Sequence, residues 1–250
     1  MIDTPTRTSP PVSVAVAAAG ALLALGAVVA ARLGWAAPYS AFRVFGLAIF
    51  TGGFLGLGTG LFALSRTWND ESPVQRRTAW AGTLMGAAMI FSLAMAGSSA
   101  AKVPPIHDLT TDLEDPPVFV QAADLPANRS RDLSYPHGDP ETPSRQGDAY
   151  PDLHPIRLWL EPQEAYEACH QVLEQVGWTL TGTDESLGFL EATETSRIFR
   201  FVDDIVIRIR PHSNGGSVID LRSTSRDGIS DLGVNAERIR LFRDTLKAGQ

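Results

Sequence analysis

IVIRIRPHSNGGSVIDLRS, residues 205–223, is the stretch that decides the fold of the C-terminal part of this chain. On both sides of a turn, apolar residues alternate with polar ones, a period typical of half-buried β-strands. The turn at residues 212–216 is rich in Asn and Gly, which tolerate the positive φ angles of a hairpin. Keeping the two apolar faces together predicts a register, with these pairs across the hairpin: Ile209 with Ile219, Ile207 with Leu221, Arg208 with Asp220, and Val206 with Arg222.

Elements on either side of this hairpin complete a small domain over residues 154–250. A strand is predicted at Ile156–Leu160, and a helix opens at Pro162 and ends at Gly177. Further strands are expected at about 179–182, 188–195 and 197–201, with Arg200 facing outward in the last, and a final helix at about 235–247. The expected fold class is α+β, a soluble two-layer sandwich of an antiparallel sheet with two helices.

Three long apolar runs precede this domain, at residues 12–33, 41–64 and 78–101. Crossing a bilayer core of about 30 Å takes roughly 20 apolar helical residues. Residues 1–102 are therefore predicted to form a membrane domain of three transmembrane helices. The first run is an alternative candidate for a cleaved signal peptide, but its apolar region exceeds the usual 7–15 residues. We favour a retained anchor.

Basic residues in the short loops predict the orientation of these helices. The loop Ser65–Arg77 holds Arg66, Arg76 and Arg77 and is expected to stay in the cytoplasm. The N-terminus is then cytoplasmic, and residues 103–250 are exported to the periplasmic, extracytoplasmic side of the cell inner (plasma) membrane. Two arginines in the outer loop, Arg32 and Arg43, argue against this orientation.

Glycines in the second run recur at four-residue spacing, at Gly52, Gly56 and Gly60. Small residues at this spacing let helix backbones approach closely. We favour packing within the three-helix unit, and the alternative is a homo-oligomer through the same glycines. The three runs contain no acidic residue or histidine, which argues against an ion path through the membrane.

The charge is distributed unevenly along the chain. Residues 103–250 hold 25 of the 28 acidic residues and 14 of the 21 basic ones, a net charge of about −11. An acidic domain is a poor candidate for binding nucleic acid, so the lipid bilayer and an envelope protein are the expected partners. Cys169 is the single cysteine, which excludes an intramolecular disulfide, and no cofactor is expected.

Residues 103–153, between the membrane part and the domain, are rich in Pro, Asp and Arg and show no regular period. This segment is predicted to be an extended linker. A loop of this length is typically functional, bound to a partner or disordered. Its first part, which includes Ile106 and Phe119, has apolar residues that would pin it to the domain.

Two groups of residues are candidates for a site. Arg200, Arg208, Arg210 and Arg222 share the outer face of the predicted sheet, and Arg226 follows in the next loop. Such a cluster is a candidate for binding an anionic ligand or a lipid headgroup. The alternative is a solvated face with cross-strand ion pairs, Arg208 with Asp220 being one.

The second group lies in residues 106–112, where His107, Asp108 and Asp112 are weak candidates for a divalent metal ion. The segment lacks the spacing of an EF-hand loop and has no second histidine nearby. The favoured interpretation is turn formation ahead of Pro116. Similarly, Asp231 or Asn235 is expected to cap the last helix.

Six segments of the C-terminal part, in order, carry a resemblance to a known family: 106–112 (IHDLTTD), 116–119 (PPVF), 150–152 (YPD), 201–204 (FVDD), 220–226 (DLRSTSR) and 230–235 (SDLGVN). The chain resembles domain-of-unknown-function family 1499, here fused to N-terminal transmembrane helices. The resemblance implies a domain that recurs in bacterial envelope and plastid proteins, with no agreed activity. It also implies that residues 106–112 pack onto the domain.

The expected function is that of a binding or interaction module of the cell envelope. The motifs GxSxG, HExxH and the P-loop are missing from the sequence. An enzyme is therefore not favoured. The alternative is an envelope hydrolase or metal-dependent enzyme that uses the 106–112 segment.

Overall fold

A computed structural model describes residues 12–67, 73–101, 103–136, 138–228 and 230–249. The chain divides into two compact units, Met1–Ser99 and Ala100–Gln250. The start of the chain, with Arg7, lies outside the described residues, as do Lys102 and residues 68–72 of the loop used to predict orientation.

The first unit consists of three apolar helices, α1 (Val12–Arg32), α2 (Pro38–Thr67) and α3 (Pro73–Ala100). Each is long and apolar enough to cross a membrane, and the three helices lie at the three predicted runs. Helices α2 and α3 begin earlier than predicted, each at a proline. Proline is well tolerated in the first turn, where its missing N–H would have had no partner.

Close backbone approach holds the first unit together. A Cβ atom added to Gly52 would lie 2.8 Å from the Cα of Gly20 in α1, and one added to Gly56 would lie 2.9 Å from the Cβ of Ala17. At Gly60, an added Cβ would clash with Thr83 of α3. These three glycines are buried inside the unit and are used for its internal packing.

The second unit is a six-stranded antiparallel sheet with helices. Its strands are β1 (Asp108–Thr110), β2 (Ile156–Leu158), β3 (Thr179–Asp184), β4 (Phe189–Thr195), β5 (Val202–Pro211) and β6 (Ser217–Ser225). Their order is β1-β6-β5-β4-β3, and β2 also pairs with β6. The helices are α4 (Gln121–Asp124), α5 (Thr142–Ala149), α6 (Pro162–Val176) and α7 (Val234–Ala248), with a 3-10 turn at Pro126–Asn128. The expected α+β class is confirmed.

The predicted hairpin register is confirmed. Ile209 pairs with Ile219, Ile207 with Leu221, Arg208 with Asp220, and Val206 with Arg222. The turn uses positive φ at Gly215 (+89°) and Gly216 (+73°). A side chain at Gly216 would also collide with the carbonyl oxygen of Leu158, so glycine is required there for two reasons.

Helices α6 and α7 cover the isoleucine face of the sheet and form the core with it. Cys169 of α6 and Phe242 of α7 are fully buried, and the Phe242 ring stacks on Trp178 at 5.9 Å between centroids. Helix α6 begins with a capping box between Glu161 and Glu164 and ends at Gly177 with φ +76°. Its amphipathic pattern accounts for the correct prediction of this helix.

The strand predicted at 197–201 is wrong. These residues form the tight connection between β4 and β5, in which the N–H of Ser196 donates to the carbonyl oxygen of Phe201 at 2.7 Å. Arg200 adopts φ +65°, so it does not lie on the sheet face with the other arginines. Since Thr195 pairs with Val202, the six residues between them must reverse the chain. Their alternation of apolar and polar residues imitates a strand.

The prediction of an extended linker at 103–153 also needs correction. Strand β1 joins the sheet beside β6, and residues 111–136, here called the cover segment, lie over the second face of the sheet. Phe119 and Ala122 of this segment pack on Val206 of β5. The prolines interrupt regular structure but do not prevent packing, because the irregular backbone finds partners on the sheet.

Candidate functional site

Arg208 and Arg210 lie on the second face of the sheet, within a network of three carboxylates. The Arg208 guanidinium bonds Asp220 across the hairpin at 3.0 Å and Asp115 of the cover segment at 2.9 Å. Arg210 bonds Asp220 at 2.7 Å and Asp112 at 3.0 Å. Burial raises the pKa of Asp220, while the hydrogen bonds and charges of the two arginines oppose that rise. The network ties the cover segment to the sheet.

Arg222 is buried between the sheet and the cover segment, with 1% of its surface exposed. It forms an ion pair with Asp108 of β1 and donates to the carbonyl oxygens of Pro117 at 3.2 Å and Leu133 at 2.8 Å. Two aromatic rings lie against its guanidinium, Phe119 at 5.0 Å and Tyr135 at 5.5 Å. Through these contacts, the Arg222 guanidinium connects the cover segment at Pro117 and at Leu133 to β6.

Arg226 lies just past the end of β6 and forms an ion pair with Asp204 at 2.6 Å. Arg131 of the cover segment reaches the same carboxylate at 2.8 Å. Arg200 is apart from these groups, exposed in the connection between β4 and β5.

Four of the five predicted anion-binding arginines therefore bond carboxylates of the chain itself. The alternative interpretation of cross-strand ion pairs, with Arg208 and Asp220 as one pair, describes this geometry. The outer face is covered rather than solvated, however, which sequence alternation did not indicate. Of the four, Arg210 keeps the most exposed side chain, at 41%.

His107, Asp108 and Asp112 do not meet in a metal site. Among the described ranges, no group of three or more His, Cys, Asp or Glu side chains has the arrangement that holds a metal ion. Asp108 bonds Arg222, whereas Oδ1 of Asp112 accepts from the N–H groups of Glu114 at 3.2 Å and Asp115 at 3.0 Å. Asp112 thus forms the turn that the favoured interpretation expected ahead of Pro116.

Glu191 is a buried carboxylate that the sequence analysis did not single out. It is 3% exposed on β4 and accepts three backbone N–H groups of the cover segment, from Val120 and Ala122 at 2.6 Å and from Gln121 at 3.1 Å. An acidic residue in an alternating strand normally faces solvent, so no sequence signal distinguishes this one.

Arg238 of α7 is a second residue that sequence patterns did not single out. It forms ion pairs with Asp203 at 2.5 Å and Glu194 at 2.5 Å. Burial raises the pKa of Asp203, while the charge of Arg238 opposes the rise. Nearby, Asp231 accepts from the N–H groups of Gly233 at 2.8 Å and Asn235 at 2.7 Å, so its carboxylate occupies the start of α7.

An open groove of about 520 Å³ lies between residues 111–114 and residues 146–155. Its walls combine apolar side chains with a few polar ones: Leu113, Pro151, Leu153 and Pro155 with Asp112, Glu114 and His154. Tyr150 also lines it, and burial raises the pKa of the Tyr150 phenol. The volume lies within the range of about 300–1,000 Å³ that is common among ligand sites, which makes the groove a candidate site.

Comparison with known proteins agrees with the sequence resemblance. A family model described as protein of unknown function (DUF1499) matches residues 108–246, which include both walls of the groove and the whole sheet. A comparison with curated proteins finds no match. The matched region covers more than half of the 250 residues, and three apolar helices precede it. The chain therefore belongs to the DUF1499 family.

Proposed function

We propose that this chain is a multi-pass protein of the cell inner (plasma) membrane whose second unit is an exported binding module of the envelope. The proposed binding role rests on the open groove between residues 111–114 and 146–155. Its size falls within the range of about 300–1,000 Å³ for ligand sites. The occupant is an envelope component, either a small ligand or a segment of an envelope protein.

The charged network on the second face supports a binding role over a catalytic one. Asp108 and Asp112 are the carboxylates that an enzyme of the 106–112 segment would use, and they are bonded to Arg222 and Arg210. The network stabilises the cover segment, whose first residues form one wall of the groove. We do not propose an enzymatic activity.

The orientation rests on the basic residues flanking the loop between α2 and α3, Arg66, Arg76 and Arg77. This distribution favours a cytoplasmic N-terminus and an exported second unit. Alkaline phosphatase fused after Gln250 tests the orientation, because it is active only outside the cytoplasm. We expect an active fusion. Fluorescence from a green fluorescent protein fused at the same position, with no phosphatase activity, would contradict the orientation.

Site-specific photo-cross-linking of the full-length protein in native membranes tests the groove. A photoreactive amino acid at Leu113, in the groove wall, is compared with one at Leu241, which is 51% exposed on α7. We expect an adduct of defined mass at position 113 and none at 241. The variant Gly147→Trp fills the groove, since a Cβ at Gly147 would lie 3.9 Å from Leu113, and removes the adduct. Equal adducts at both positions, or none at 113, would refute the groove as the binding site.

A further inference from the structure

The groove between residues 111–114 and 146–155 has an acidic wall. Glu114 lines it, is exposed to solvent and forms no ion pair with the described part of the chain. Among the described residues, no lysine or arginine lines the groove, and His154 on the opposite wall is neutral at pH 7. A carboxylate with no cation beside it attracts a positively charged group and repels an anion.

Two arginines bond to this wall without cancelling its charge. Arg210 bonds Asp112, which also lines the groove, at 3.0 Å, and Arg208 reaches the same carboxylate at 3.5 Å. Both arginines also bond Asp115 and Asp220. Three carboxylates therefore surround two guanidinium groups, and the exposed glutamate of the wall adds a fourth. The local charge stays negative.

The opposite wall is negative as well. Helix α5 ends there, so the turn that contains Gly147 carries the negative end of the helix dipole. Asp148 lies in the same turn and is exposed. Arg240 and Arg243, which bond Asp152 beside this wall, each have a second carboxylate partner on α7. The cations near this wall are therefore already paired.

The remaining lining of the groove is mainly apolar. Leu113 adjoins Glu114, and Pro151 and Pro155 lie on the opposite wall. Lysine and arginine side chains pack their methylene groups on such a surface and keep the charged end at a polar group. A metal ion needs several convergent carboxylates, and the described ranges hold no such group. The lining therefore matches an organic cation with an aliphatic chain.

We propose that the groove binds a basic segment of an envelope protein, with a lysine or arginine side chain along Leu113 and its cationic group at Glu114. The inference rests on the proposed binding role of the groove and names the chemical class of the occupant. The volume of about 520 Å³ exceeds that of one side chain, so neighbouring residues of the segment also find room. Charge complementarity then selects basic segments over acidic ones.

Fluorescence anisotropy of labelled tetralysine with the full-length protein in neutral detergent micelles tests the proposal. Glu114→Lys reverses the charge in the groove wall. Glu174→Lys is the matched control, because the side chain of Glu174 is 72% exposed on α6 and both variants change the net charge equally. We expect Glu114→Lys to weaken binding by about tenfold and the control by less than about twofold. Gly147→Trp, which fills the groove, is expected to abolish binding.

Three results would overturn the proposal. Equal weakening by Glu114→Lys and Glu174→Lys would show that the net charge of the whole unit attracts tetralysine. Displacement of tetralysine by an equal concentration of spermidine would show that the groove takes a free amine. Tighter binding of labelled tetraglutamate would show that the occupant is anionic. Glu114→Gln, which keeps the size of the side chain, is the second variant, and its melting temperature is compared with that of wild type to exclude loss of folding.

The adduct formed by the photoreactive amino acid at position 113 separates this proposal from the binding role itself. An adduct with a peptide that contains lysine or arginine supports both. An adduct with a neutral or acidic component would refute the basic segment and leave the groove as a binding site. No adduct at position 113 would refute both.

Discussion

Arg222 and Asp108 form an ion pair inside the second unit, with 2.6 Å between Nη2 and Oδ2 and 1% of each side chain exposed. Removing two charges from water is costly, so such a pair contributes to stability only when further hydrogen bonds satisfy it. The carbonyl oxygens of Pro117 and Leu133 supply them to Arg222. The pair therefore connects β1, β6 and both ends of the apolar part of the cover segment.

Substituting Asp108→Ala is expected to lower the free energy of unfolding by about 3–5 kcal/mol, because Arg222 would remain charged and buried without its partner. The double variant Asp108→Leu with Arg222→Met removes both charges and is expected to recover much of this loss. The measurement is the urea concentration at which Cys169 becomes open to alkylation in the full-length protein in detergent micelles.

Cys169 suits this measurement because it is the single cysteine and is fully buried, and burial raises the pKa of its thiol to about 12. It is expected to be inert in the folded protein at pH 8 and reactive once the core opens. Arg145→Ala is the control, since Arg145 pairs with Asp139 and Glu141 at the surface. A midpoint for Asp108→Ala equal to that of the control would show that the buried pair does not stabilise the fold.

Glu191→Ala is expected to loosen the cover segment, because three N–H groups at residues 120–122 lose their acceptor. An unsatisfied buried donor costs roughly 1–3 kcal/mol. The measurement is limited trypsin digestion, scored at Arg129 and Arg131 of the cover segment. Thr193→Ala, two residues further along β4, is the control. Cleavage of the Glu191 variant no faster than that of the control would argue against this role.

The ion pairs of Asp152 predict an acid-dependent loss of stability. A hydrogen bond from Arg240 holds the pKa of Asp152 below its ordinary value of 3.8. Stabilisation by this carboxylate is therefore complete above pH 3.8 and is lost as the pH falls through the lowered pKa. Asp152→Asn is expected to melt earlier than wild type at pH 7, with a difference that shrinks towards pH 2. The exposed carboxylate variant Asp148→Asn is the control, and a constant difference across this range would contradict the assignment.

Gly52→Val is expected to destabilise the first unit, because a Cβ there would lie 2.8 Å from the Cα of Gly20. Gly58→Val is the matched control, since a Cβ at Gly58 has no neighbour within 4 Å among the described residues. Both variants are compared by thermal aggregation in detergent and by light scattering for oligomeric state. Dissociation of an oligomer by Gly52→Val, with unchanged thermal stability, would instead assign this glycine to contacts between chains.

Much of the fold could be predicted from local patterns. The hairpin at 205–223 and helix α6 were predicted because alternation, amphipathic period and capping residues all act between near neighbours in sequence. The strand expected at 197–201 is wrong, since its alternation is local too and the chain reversal depends on how β4 meets β5. Arg208, Arg210 and Arg222 lie on one sheet face as predicted, whereas Arg200 does not. No sequence pattern indicated their carboxylate partners other than Asp220.

The sequence by itself determined the three apolar helices, the antiparallel hairpin with its register and the class of the second unit, because segment length and residue period are properties of neighbouring residues. Only the tertiary structure decided that residues 111–136 cover the sheet, that Arg222 and Glu191 are buried, and that a groove forms beside β1. Arg222 and Asp108 are 114 positions apart, and no local period relates them. Because burying an unpaired charge is costly, the buried Arg222 needs a carboxylate partner, and the tertiary fold brings Asp108 next to it.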